Sequence, residues 1–157
     1  MKRKDVMGTV AFATLVVAAT SPAASAWPGR PVSPPPKAPN RGAPPPAWIE
    51  TQAKSTWLSY GSYCWTSGGQ AACVDMLPPG SRPDLPLIRV GRGGALRVHL
   101  ALNRPTVTVT VAGKRAAVRV DRTRGIVSWS ARAGGLVAVQ VHASGGSASY
   151  VARLRVS

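Results

Sequence analysis

Ala95-Leu96-Arg97-Val98-His99-Leu100-Ala101-Leu102 is followed, after Asn103-Arg104-Pro105, by Thr106-Val107-Thr108-Val109-Thr110-Val111. In both runs the large apolar side chains recur at every second position. A period of two sends Leu96, Val98 and Leu100 to one face of an extended chain and Arg97 and His99 to the other. The Thr/Val alternation suits a pleated, half-buried surface, and no helical period competes with it. Pro105 interrupts one ladder, and Ala112-Gly113-Lys114 turns the chain back into the next.

The same rhythm continues in both directions. Downstream, Val118 and Val120 alternate with Arg119 and Asp121; Val127 and Trp129 follow Gly125; Val137, Val139 and Val141 follow Gly134-Gly135. The last run places Tyr150, Ala152, Leu154 and Val156 inward after Ser144-Gly145-Gly146. Upstream, Ile88 and Val90 flank Arg89, and Gly91-Arg92-Gly93-Gly94 is the intervening turn. Short strands every eight to twelve residues, separated by polar turns, predict an all-β antiparallel sandwich or barrel.

Before these strands, Trp57–Met76 holds both cysteines and two of the three tyrosines. Aromatic and small polar residues lie at near-alternate positions, Thr66-Ser67-Gly68-Gly69-Gln70 is a turn cluster, and Ala71–Met76 returns. A hairpin of this kind brings Cys64 beside Cys73 at a separation a disulfide bridges. A reactive or metal-binding thiol pair is the alternative. The loop Leu77–Pro86 is stiff, with four prolines, and its Arg82-Pro83 bond makes a poor protease-inhibitor mimic.

The run Leu87–Val98 (strand, glycine turn, strand) and the closing pair Gly134–Val141 and Ser144–Val156 resemble secreted immunoglobulin-like domains. With the Pro-rich neck and the Ser-Tyr-Cys-Trp hairpin, the layout is similar to uncharacterised small exported proteins of high-GC Gram-positive bacteria. The resemblance spans roughly 48–157 and implies an immunoglobulin-like Greek-key β-sandwich of about seven to nine strands. One departure stands out: antibody-type domains join two sheets through widely spaced cysteines, whereas Cys64 and Cys73 are near neighbours. Antigen-type recognition therefore does not carry over, and fold alone fixes no function.

The N-terminus reads as a signal peptide over 1–26. Lys2-Arg3-Lys4 is the positive end, Val6–Thr20 the apolar core, and Ala24-Ser25-Ala26 the cleavage site. Retention as an uncleaved anchor is the alternative. Export to an oxidising compartment favours pairing of the two cysteines. Residues 27–47 form a Pro-rich linker with nine prolines between Pro28 and Pro46. Such a segment is expected to stay disordered and extended, a spacer of roughly 60 Å at ~3.1 Å per residue. The sandwich then occupies 48–157.

Charge narrows the function classes. The chain carries 20 Lys and Arg against 5 Asp and Glu. Without Lys2, Arg3, Lys4 and Asp5, 17 bases and four acids remain: Glu50, Asp75, Asp84 and Asp121. GC-rich codon usage accounts for Arg over Lys but not for so few acids. Most cations lack an internal partner, and a field of that sign favours anionic surfaces. The outward residues Arg97, Arg115, Arg119, Arg153 and Arg155 are the candidate anion-binding set, with Arg89, Arg92, Arg122, Arg124 and Arg132 near turns.

Catalytic chemistries fare poorly. Neither His99 nor His142 has an acidic neighbour in sequence, and no Gly-x-Ser-x-Gly elbow exists. Four scattered acids do not make a glycosidase pair, and the glycine runs lead into no helix. A copper site would draw on His99, His142, Cys64, Cys73 and Met76, but the two histidines face away from the core in opposite sheets and should not converge. No metal, no cofactor and no catalytic residue is expected, and no specific nucleic acid, because the aromatics lie far from the Arg-rich strands. The expectation is an exported, non-catalytic binding or structural module of the cell envelope. It would contact anionic wall polymer or lipid headgroups through arginine. The rival is a protein-binding module using the Trp57–Trp65 aromatics, with Tyr63 and Trp65 as contact residues.

Overall fold

The structure is a computed structural model that describes residues 26–157. The signal-peptide reading therefore lies, except for Ala26, outside the described residues. Twelve strands follow in chain order. They are β1 (Ala47–Glu50), β2 (Ser55–Trp57), β3 (Ser59–Ser67), β4 (Gln70–Val74), β5 (Leu87–Val90) and β6 (Ala95–Leu100). The second half supplies β7 (Thr106–Val111), β8 (Lys114–Arg115), β9 (Arg119–Asp121), β10 (Ile126–Ser130), β11 (Gly135–Ala143) and β12 (Gly146–Val156). The only helical turn among the described residues is a 3-10 turn at Pro79–Ser81.

The strands form two sheets. A five-stranded sheet runs β2-β1-β6-β10-β9, and a seven-stranded sheet runs β4-β3-β12-β11-β7-β8, with β5 added beside the end of β12. Every pairing is antiparallel except β5 with β12. The long strand β12 pairs with β11 from Gly146 to Leu154, while its other edge is shared between β3 and β5. The all-β reading holds, with more strands than the seven to nine expected. The surplus comes from short edge pieces, β2, β8 and β9, of two or three residues each.

The alternating positions of the sequence are the interior. Leu96, Val98, Leu100, Val107, Val109, Val127, Val137, Val139, Val141, Tyr150, Ala152 and Leu154 are all buried in one cluster fed by both sheets. Fully burying a Val or Leu stabilises by roughly 1.5–3 kcal/mol, so this continuous layer is what drives the fold.

One irregularity explains the uneven alternation of β3. Ala148 pairs with Tyr63 and Tyr150 with Tyr60, so Gly61-Ser62 on β3 oppose the single residue Ser149. This bulge keeps both tyrosines inward although they are three positions apart. Tyr60 then packs against Tyr63 and Tyr150, with ring centroids 6.3 and 5.9 Å apart. Burial raises all three phenol pKa values, most strongly Tyr150, whose hydroxyl donates to the Pro45 carbonyl at 2.6 Å. Cys64 and Cys73 face each other across β3 and β4 and are joined. The pair is on the exposed side of the hairpin, outside the core.

The Pro-rich segment differs from expectation. It forms no strand before Ala47, but it does not stand away from the domain. Gly42, Ala43 and Pro44 are buried. Further back, Ser33 O accepts from Trp57 Nε1 at 2.8 Å, and the Arg30 guanidinium lies over the Trp57 ring at 5.1 Å. Trp27 covers Arg97 at 3.9 Å. Its first part, 27–33, is thus a strap over the outer face of the five-stranded sheet, while Gly42 and Pro45 pack against β4 and β12 of the other. The stand-off predicted from proline content fails because an extended segment leaves its carbonyls free, and Trp57 takes that of Ser33.

Candidate functional site: a basic cleft at the sandwich edge

β7 turns into β8 through Ala112 and Gly113, both with positive φ (49° and 75°). That is the twist a two-residue hairpin needs, and Ala112 occupies it at some strain because it carries a Cβ. β8 lasts only two residues. The chain then leaves the edge of the larger sheet at Ala116, crosses to the smaller one and enters β9 at Arg119. Because β9 first meets β10 at Ser128, Trp129 and Ser130 have no strand partner on that side.

The crossover frames a cleft of about 610 Å³. Lys114, Arg115, Arg119 and Arg132 stand around it, and all four are exposed. Its apolar wall comes from Val111, Ala116, Ala117 and Trp129. Val111 belongs to the inner face of one sheet and Trp129 to that of the other, so the interior of the sandwich reaches the surface here. The Trp129 indole N–H is buried without a hydrogen-bond partner among the described residues.

No carboxylate among the described residues makes an ion pair with any of the four cations. The reason is that each remaining acid is engaged elsewhere. Glu50 bonds His99 at 2.7 Å; Asp75 accepts from Ser62 Oγ at 2.8 Å. Asp84 pairs with Arg82 at 3.2 Å, a contact that holds the Asp84 carboxyl below its ordinary value. Asp121 accepts from the backbone of Thr123 and Arg124 in its own turn.

The five arginines singled out from sequence fall in three places. Arg115 and Arg119 join the cleft. Arg97 stands on the same outer face as Arg119, with Ser128 paired to both, so their backbones are about 10 Å apart. Arg97, however, is stacked beneath Trp27. Arg153 and Arg155 lie on the outer face of the other sheet. There Arg155 is paired with Arg89, and Arg153 donates to the Arg82 carbonyl at 3.0 Å. One small ligand cannot meet all five. Lys114 and Arg132 were not in that set: their placement depends on where two turns converge, and no local pattern reports that.

Tyr63 and Trp65 are buried in this structure. They are 4% and 6% exposed and point into the core, because the bulge and the pairing with β12 turn the aromatic side of β3 inward. The aromatic surface imagined for a protein partner is interior.

The histidines lie in opposite sheets, His99 on β6 and His142 on β11. His99 does have an acidic partner, which sequence proximity missed: Glu50 reaches it across β1 and β6. Trp48 stacks on the imidazole at 4.7 Å with planes 2° apart. The Glu50 side chain is 2% exposed, so the pair is a satisfied polar contact beneath the strap. No group of three His, Cys, Asp or Glu side chains comes together among the described residues, and no helix there is long and apolar enough to cross a membrane. Comparison of the chain with protein-family models, curated proteins and solved structures finds no match.

Proposed function

We propose that this chain is an exported, non-catalytic binding module of the cell envelope, which engages anionic polymer or lipid headgroups through unpaired arginine and lysine. The observation that carries the reading is the cleft, where four exposed cations gather with every acid of the 27–157 segment committed elsewhere. Guanidinium groups suit planar, two-point contact with phosphate or carboxylate. The disulfide between Cys64 and Cys73 fits a chain that matures outside the reducing cytosol. The protein-binding alternative loses its support, since the aromatics it needs are buried.

The test is binding to purified anionic wall polymer and to anionic vesicles over a range of salt. Affinity should fall steeply with ionic strength, because exposed charges are screened within roughly 10 Å at 0.1 M. Binding that ignores salt, or no binding at low salt, rejects the proposal.

A further inference from the structure

The cleft offers two chemistries at once. Its rim is cationic, while its wall is aliphatic and aromatic and continues into the sandwich interior. A hydrophilic polyanion would use the rim and leave the wall wet. A neutral hydrocarbon would use the wall and leave Lys114, Arg115, Arg119 and Arg132 without counter-charge. The volume, about 610 Å³, falls in the range of small-molecule sites, roughly 300–1,000 Å³. The Cys64–Cys73 hairpin and the strap contribute nothing to the lining, which comes from the β7–β9 crossover and from β10 with the connection after it.

We infer that the cleft binds an amphiphilic anion, its phosphate or carboxylate head among Arg115, Arg119 and Arg132 and its hydrocarbon body against Val111, Ala116, Ala117 and Trp129. This deepens the proposed function and rests on its premise that these cations meet an anionic ligand. The head is held by charge-assisted hydrogen bonds from guanidinium, which accept either acid. The body displaces water from apolar wall, and each methylene buried there adds roughly fourfold to affinity. Arg119 extends from the edge strand β9, and Arg132 from the connection after β10. The head is therefore approached from two sides, with the apolar wall left for the body.

The experiment is a calorimetric series on the purified protein with n-alkyl phosphates of increasing chain length. Inorganic phosphate and the matching alkanols are the controls. Affinity should climb by roughly fourfold per methylene over the first few carbons and then level off as the cleft fills. The alkanols should bind far more weakly than the phosphates. Arg119→Gln with Arg132→Gln should lower affinity at every chain length, by roughly tenfold or more. Ala117→Phe, which occupies wall without touching charge, should flatten the climb and spare inorganic phosphate. All three positions are exposed, so folding is checked simply by an unchanged thermal melt.

A parallel n-alkyl carboxylate series tells which acid head is preferred. Vesicles of anionic phospholipid tell whether a bilayer lipid is also taken. A flat phosphate series, or a climb untouched by both the arginine and the Ala117 variants, overturns the inference. If the series is flat while anionic polymer still binds in a salt-dependent way, only the amphiphile is lost. If neither binds, the proposed function falls with it.

Discussion

Two regions of the same small sheet treat arginine in opposite ways. On its outer face, cations are held by aromatics: Arg97 of the sheet lies against Trp27, Arg30 of the strap lies over Trp57, and the His99–Glu50 pair stacks on Trp48. At its edge, two strands away, Arg119 and its neighbours Arg115 and Arg132 have no ion-pair partner among the described residues. The same residue type serves as packing material in one place and as unspent charge in the other. A high net charge therefore identifies no site by itself. What identifies one is whether neighbours take up the charge: Trp27 covers Arg97, while no acid pairs with a cleft cation among the described residues.

The contrast predicts a steep ordering of mutational effects. Removing the His99 ring by His99→Ala leaves the Glu50 carboxylate buried and unbonded, and should destabilise by roughly 3 kcal/mol in denaturant titration. A loss under about 1 kcal/mol would mean that Glu50 is reached by water and that the strap is not a seal. Shortening the chain to begin at Pro34 removes Trp27, Arg30 and the Ser33 carbonyl together. Three cation–π contacts (Arg30 over Trp48 and Trp57, Arg97 over Trp27) and one hydrogen bond go with them, about 2 kcal/mol in all. An unchanged unfolding midpoint would return this segment to the free linker that its proline content suggested.

The hairpin staple should have a comparable effect. Cys64→Ser with Cys73→Ser is expected to cost about 2–3 kcal/mol in the chain-entropy view, for a bridge closing a separation of nine. Because both half-cystines are exposed, reduction under native conditions should give the same loss without mutation.

Alkaline titration probes the core rather than either arginine region. All three tyrosines resist ionisation in the fold because burial disfavours the phenolate. Their folded pKa values lie above the unfolded value near 10, so their contribution is fully present below about pH 10. It is lost as pH rises toward the raised values. Tyrosinate absorbance should therefore appear together with unfolding. Absorbance rising well before loss of sheet structure would contradict the burial.

The smallest effects belong to the cleft. Arg115→Gln, Arg119→Gln and Arg132→Gln should each change stability by less than about 0.5 kcal/mol, since nothing folded depends on them. Ala112→Asn, at the strained hairpin position, should raise stability by about 0.5–1 kcal/mol.

The interior was readable from the chain because period-2 patterning is local: Leu96, Val98, Val107, Val109, Val137 and Val139 announce their faces without knowledge of partners. The cystine was readable for the same reason, through the turn at Gly68-Gly69. The strap was not, since its contacts join Ser33 to Trp57 and Trp27 to Arg97 across long stretches of sequence. Nor was the burial of Tyr63 and Trp65: aromatic residues look alike on either side of a sheet, and only pairing with β12 fixes which side is inside. The cleft was half-visible. Arg115 and Arg119 stood out as exposed strand cations, but Lys114 and Arg132 join them only because a two-residue strand ends where the chain crosses between sheets.

The most direct test places the cleft against the other basic surface. Titrate anionic vesicles with two variants matched in lost charge, one carrying Arg115→Gln, Arg119→Gln and Arg132→Gln, the other Arg89→Gln, Arg153→Gln and Arg155→Gln. The first should lose most of its binding while the second keeps most of its own. Equal losses would show that net charge alone governs the contact, and a larger loss in the second would put the binding face on β12 instead.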